Sequence, residues 1–362
     1  MAVTTIFTSG SFAAEYQLLL LGSPSSGFNS GFGINSSGTV VGGGANSPGF
    51  IFNGTQFLTL PQIIPGPVVT GPLRAITSQG LAVGQIGGGA AFWDGVTLQR
   101  PANPRGVDSS IAFAVNSSGI ATGTVSTTST RETFVVTWDT TQENAEPTVL
   151  VGLDPVTPFG GQSSFALGIT DDGRVVGWST NALSQQRPVV WTNGALSQLP
   201  LGSATSGGVR ATTPDGTIMV GTITGSNGFS QASIWSNGTL SLLETPPGTF
   251  QSFALGLNAQ GSIVGGVRLS NNGPSLAAVW RNGQLSDLNT LVDTTSLPSG
   301  AFLSDARAIN DNGLITGSIR FANGETQAFL MTPVPEPSTV LMLAVGLLIL
   351  WLRRPVVASR RS

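Results

Sequence analysis

The sequence predicts an all-β fold: a seven-bladed β-propeller of four-stranded blades, closed by an N-terminal strand and followed by a C-terminal transmembrane helix. Three observations predict it. A glycine-bounded motif recurs seven times at blade-sized intervals, an aromatic segment follows it in phase, and the chain ends in an unbroken apolar run capped by arginines. The 362 residues are 40 % hydrophobic, enough for a sizeable core. With 49 Gly and 22 Pro the chain is rich in turns without reaching the composition of a disordered polymer.

The repeat reads Asn or Thr, two residues, Gly, three residues dominated by Val, Ile, Ala and Thr, then Gly. It occurs as Asn35…Gly38…Gly42, Thr77…Gly80…Gly84, Asn116…Gly119…Gly123, Thr170…Gly173…Gly177, Thr213…Gly216…Gly221, Asn258…Gly261…Gly265 and Asn310…Gly313…Gly317, the fifth copy carrying one extra residue. First glycines are separated by 42, 39, 54, 43, 45 and 52 residues. The second segment reads Phe50-Ile51-Phe52-Asn53-Gly54, Ala91-Phe92-Trp93-Asp94-Gly95, Val190-Trp191-Thr192-Asn193-Gly194, Ile234-Trp235-Ser236-Asn237-Gly238 and Val279-Trp280-Arg281-Asn282-Gly283, and is degenerate in the third and seventh copies.

The fourth copy parses most clearly. Residues 164–170 form strand A, Asp171-Asp172-Gly173 a tight turn, 174–179 strand B, 188–192 strand C, Asn193-Gly194 a two-residue hairpin turn, and 195–199 strand D. Asn-Gly suits a type I′ turn because both central residues need positive φ. The Asn or Thr ahead of the first glycine can bond backbone just downstream and cap the A to B turn. A β-solenoid would need a period of half this or less, which makes it the weaker reading. The seventh copy lacks strand D, whereas Gln17-Leu18-Leu19-Leu20-Leu21 precedes the first copy with no blade of its own. The N-terminal strand is therefore expected to pair with Ala328–Met331, which makes residues 15–333 one domain with no unpaired end.

Residues 339–352 carry no charge and precede Arg353 and Arg354, with Arg360 and Arg361 just beyond. As a helix at ~1.5 Å per residue they cover about 21 Å, so crossing a ~30 Å hydrocarbon layer needs their flanks, tilt or thinning. A buried helix should be amphipathic, and this segment is apolar all round. The arginines form a cytoplasmic anchor, which leaves the body exported. Immediately upstream stands Val334-Pro335-Glu336-Pro337. Pro-Glu-Pro, a short apolar helix and terminal arginines together resemble the PEP-CTERM sorting signal of bacterial exported proteins. The resemblance implies processing near that motif by an exosortase, a membrane enzyme, with tethering first and delivery to the cell surface afterwards. Two prolines hold the motif extended, as suits a segment bound as a strand. Residues 1–14 have neither a basic residue nor a useful apolar run, and are read as the remnant of an export segment whose true start lies upstream.

The repeats resemble the HAF family of bacterial extracellular repeats, through Ala308-Ile309-Asn310, Ala91-Phe92-Trp93 and Gln327-Ala328-Phe329, where Gln stands in the family's His position. That resemblance implies an exported surface protein and little about mechanism.

Composition excludes most catalytic chemistry. There is no His, Cys or Lys, so His- or Cys-based nucleophiles and metal sites, Schiff-base lysines and disulfides are unavailable. Residues 1–333 carry 17 acids against 11 Arg, which argues against a nucleic-acid partner. No carboxylate pair is marked out for glycoside hydrolysis, and Asp171 and Asp172 are expected to set the geometry of their turn. Asn310-Asp311-Asn312-Gly313 lacks the alternating ligands of a calcium loop. No catalytic residue, metal or cofactor is assigned. The strand-C tryptophans are expected to pack between blades. Connections from D to A and from B to C share one rim and are long, which makes that rim the expected binding face. Its candidate contacts are Arg105, Asp154, Phe159, Trp178 (placed at the start of the fourth B to C loop), Phe250 and Asp293. The expected function is a non-enzymatic binding or structural module in an exopolysaccharide or biofilm setting, with polysaccharide or a surface protein as partner. The alternative is a propeller glycosidase or lyase.

Overall fold

The computed structural model describes residues 14–22, 30–44, 47–59, 71–104, 106–128, 132–142, 146–153, 163–293 and 297–334. They form seven four-stranded antiparallel sheets. Six are simple meanders in chain order, and the seventh is made from both ends of the chain. In the fourth blade the strands are Ser164–Ile169, Val175–Thr180, Gln186–Thr192 and Ala195–Gln198, within two residues of the expected bounds. In the seventh, the first strand of the chain (Tyr16–Leu21) takes the outer place beside Thr326–Pro333, with Leu21 opposite Ala328 and Leu18 opposite Met331. The expected closure is therefore present.

Turn chemistry accounts for the hairpins. Asn193, Asn237 and Asn282 have φ of +50°, +49° and +52°, each followed by glycine at +80°, +76° and +80°, the two left-handed residues of a type I′ turn. In the first two blades Asn53 and Asp94 instead open four-residue turns, accepting from the backbone N–H groups two and three residues on. The capping residues behave as expected: Asn35, Asn116, Asn258 and Asn310 Oδ1 each accept from the N–H four residues later at 2.9 Å.

Those same asparagines do something the sequence did not reveal. Each side-chain N–H₂ donates to the equivalent carbonyl of the next blade: Asn35 to Thr77, Asn116 to Thr170, Asn258 to Asn310, and Asn310 across the closure to Asn35 at 2.8 Å. Where Thr170 cannot reach, the N–H of Asp171 donates to the Pro214 carbonyl at 2.8 Å and Arg174 Nη2 donates to the Asp215 carbonyl at 2.7 Å. Asp171 does not shape its own turn, as the sequence suggested. It accepts from Ser117 Oγ of the preceding blade at 2.7 Å, while Asp172 serves the turn through Thr170 and Arg174.

Between blades lies the core. Trp138, Trp191, Trp235 and Trp280 are buried, as is Trp93, in the expected packing role. Three indoles also donate to carbonyls of the preceding blade: Trp191 to Val151, Trp235 to Pro200 and Trp280 to Glu244. In these three blades the one polar atom of the ring finds a partner at the edge of the buried seam, whereas Trp138 Nε1 is buried without one. Among the described residues no helix is long and apolar enough to cross a membrane. Pro335, Glu336, Pro337, the expected helix 339–352, Arg353, Arg354, Arg360 and Arg361 lie outside the described residues, as do residues 1–13.

Candidate functional site

The innermost strand of every blade carries a β-bulge at one equivalent position. Register slips between Gly31 and Gly33, Leu73 and Ala75, Ala112 and Ala114, Ala166 and Gly168, Val209 and Ala211, Ala254 and Gly256, and Ala306 and Ala308. The seven extra residues are Phe32, Arg74, Phe113, Leu167, Arg210, Leu255 and Arg307, each three before the capping Asn or Thr. A bulge leaves its extra residue out of the ladder and re-aims the side chain, here toward the axis. The second glycine of the repeat makes room for it. A Cβ on Gly177 or Gly265 would sit 1.8 Å from the carbonyl oxygen of Phe165 or Phe253, and at Gly123 1.9 Å from that of Ile111.

Contacts across the ring confirm the direction. The Arg74 guanidinium carbon lies 4.1 Å from the Phe32 ring centroid and 5.7 Å from that of Phe113, and Arg307 lies 4.9 Å from Phe32. The charge of Arg307 in the seventh blade bears on Arg74 two blades on and on Arg210 two blades back. Arg74 and Arg307 share the Phe32 ring, and Arg210 lies within electrostatic range of Arg307. Arg307 Nε is 2.7 Å from Asp305 Oδ1, close enough for an ion pair but off the N–H direction.

Burial, and secondarily Arg307, pushes the Arg74 guanidinium well below its ordinary range, down to about 10. The same two causes lower Arg210, which water reaches along the channel although protein surrounds it. A base whose folded pKa lies below its unfolded one costs stability while both states are protonated, and the cost fades as pH climbs above about 10 toward the unfolded value. At 1.36 kcal/mol per pH unit this is about 3 kcal/mol, from which channel water and the loss of stacking on Phe32 take most. Arg74→Gln is expected to raise stability by about 1 kcal/mol at pH 7, measured by urea unfolding. The gain should shrink when the measurement is repeated above pH ~10.

The long-loop rim carries aromatic couples on three consecutive blades. Trp178 stacks on Phe165 with centroids 4.6 Å apart and planes at 22°. Contrary to the sequence reading, Trp178 is not in the B to C loop; it lies within strand B, opposite Phe165 and Pro188, and is half-buried. Its position lets it reach the fifth blade, where a Cβ on Gly208 would meet Trp178 Cδ1 at 2.9 Å. Phe250 packs on Phe229 of the fifth blade, centroids 4.5 Å apart, and its N–H donates to the Arg268 carbonyl. Asp293 is exposed on the connection before the last inner strand. Arg105, Asp154 and Phe159 lie outside the described residues. On the opposite, tight-turn rim a cleft of about 300 Å³ opens between the second and third blades, lined by Thr77, Gln79, Phe92, Asp94, Ser117 and Thr140. Asp94 there is held low by the N–H groups of Thr97 and Val96 in its own turn.

Comparison with known proteins gives a PEP-CTERM protein-sorting motif over residues 333–354. The chain is thus an exported protein sorted by an exosortase. No curated protein matches the sequence. Among solved structures, YCF48 bound to D1 peptide is similar at 12 % identity and a TM-score of 0.55, covering 90 % of this chain and 96 % of that one. A puromycin hydrolase S511A mutant complexed with PGG is similar at 11 % identity and a TM-score of 0.55, covering 85 % of this chain and 54 % of that one, so the likeness spans about half of the hydrolase. At such identities these likenesses concern the fold alone.

Proposed function

We propose that the chain is a non-enzymatic binding module of the cell surface or extracellular matrix, which takes polysaccharide on its long-loop rim. The observation that carries this reading is the run of aromatic pairs, Trp178 with Phe165 and Phe229 with Phe250, spread over three neighbouring blades of that rim. Flat apolar faces beside hydrogen-bonding backbone suit the apolar face of a sugar ring, and rigid aromatics cost little conformational entropy when a ligand settles on them. The glycosidase or lyase alternative draws less support. Asp305 is the acid of the described inner strands, it pairs with Arg307, and glycoside hydrolysis needs two carboxylates facing each other.

The test is a glycan array probed with the full chain, its Phe250→Ala variant and its Trp178→Ala variant. The parent is expected to bind a subset of polysaccharides, and Phe250→Ala to weaken that binding about tenfold while melting like the parent. Parent-like binding by both variants would sink the rim assignment. Turnover of any bound glycan into shorter products would establish the enzyme instead.

A further inference from the structure

The axial ring is a built feature. Seven bulges place seven side chains at one equivalent position of the innermost strands, and three of the eleven arginines in residues 1–333 occupy it although that part of the chain is net acidic; Arg74 and Arg307 both lie against the Phe32 ring. Arginines that serve only packing are ordinarily matched by carboxylates. Here Asp305 offsets Arg307 alone, and among the described residues no carboxylate forms an ion pair with Arg74 or Arg210. Arg74 Nε is buried with no hydrogen-bond partner. Positive charge is therefore concentrated, partly desolvated and incompletely satisfied at one point, an arrangement stable chiefly when an anion completes it.

We propose that the channel axis is an oxyanion site, in which Arg74 and Arg210 hold a carboxylate or sulfate group carried on an organic framework while Arg307 closes the third side. The guanidinium fork matches the planar pair of oxygens that a carboxylate offers. The other four ring members are Phe32, Phe113, Leu167 and Leu255, which surround the charged centre with apolar surface. A bare inorganic ion would leave those side chains facing water, whereas a uronic acid or another organic acid covers them. The site borders the aromatic rim, with the Phe113 ring centroid 6.4 Å from that of Phe165, but its charged members are not part of the rim and the proposal stands or falls without it.

The experiment titrates the full chain, in low-salt buffer, with galacturonate, sodium sulfate and glucose, followed by calorimetry and by melting temperature. Galacturonate should bind and raise the melting temperature, glucose should do neither, and added chloride should weaken the binding. Arg74→Gln and Arg210→Gln should each reduce galacturonate affinity at least about tenfold, and Arg100→Gln, on the exposed end of the second blade, should leave it unchanged. Arg210→Gln keeps the reading falsifiable if Arg74→Gln disturbs packing, because the Arg210 side chain is open to channel water. Absence of galacturonate binding by the parent, equal binding of glucose, binding of sulfate but not galacturonate, or parent-like affinity in Arg210→Gln would each overturn the proposal.

Discussion

A chain lacking residues 1–21 is expected to lose cooperative unfolding altogether and to be recovered as aggregate or oligomer. The missing strand pairs along all six residues with Thr326–Pro333 and buries Tyr16 and Leu21. It is also tied sideways: the Tyr16 N–H donates to the Leu291 carbonyl at 3.1 Å, Glu15 pairs with Arg281 at 3.2 Å, and Arg281 Nη2 donates to the Tyr16 hydroxyl. Losing two buried side chains costs about 2–5 kcal/mol each, which with the ladder bonds approaches the whole ~5–15 kcal/mol stability of a domain. The exposed strand edge would then recruit other chains. A synthetic peptide of residues 14–22, added in trans, should restore a single melting transition. A truncated chain that melts like the parent without the peptide would show that the ring does not depend on its latch. Tyr16 is the sole tyrosine, and burial raises its phenol above the usual 10.0. Its absorbance titration therefore reports closure directly, shifting back toward 10.0 when the latch opens.

The second large effect is expected at a glycine. Gly265→Ala would place a methyl 1.8 Å from the Phe253 carbonyl oxygen and 3.1 Å from Ala254 Cα, both backbone atoms held by the bulge. The bulge must flatten or the strands part, at about 3 kcal/mol or more, which for a chain of this size lowers the melting temperature by about 4 °C or more. Its neighbour is the control. A Cβ on Gly266 would first meet the Ser275 hydroxyl at 3.1 Å, a group that can rotate away, so Gly266→Ala should stay within about 1 kcal/mol of the parent. If the two variants melt alike, steric relief of the bulge is not why the repeat ends in glycine.

Much of the architecture was legible because each blade repeats its own punctuation. The Asn-Gly pairs, the capping Asn or Thr and the phased aromatics fix turn, cap and seam locally, and the surplus strand at Gln17–Leu21 against the deficit after Met331 fixes the closure. What stayed hidden depends on two blades at once. Asn310 could be recognised as a cap from its own repeat, but its bond to the Asn35 carbonyl joins residues 275 apart in sequence. The axial ring was concealed for another reason: one extra residue inverts the alternation of the strand, so Arg74 and Arg210 read as ordinary strand positions until the slip in register is known. In hindsight the signal is their constant distance of three residues from the cap. Trp178 already fell within the expected strand 174–179; it was read as a loop residue because it departs from the small-residue pattern of the other B strands, and its packing on Phe165 is a contact between strands that spacing alone does not show.

Strand Thr326–Pro333 runs toward the end of the molecule that carries the short hairpins, and Val334 is pinned there, its N–H donating to the Glu15 carbonyl at 2.8 Å. The chain therefore leaves the body toward the sorting segment from the short-hairpin end. Trp178 and Phe250 belong to the opposite, long-loop end, so the exit of the chain does not cover that rim.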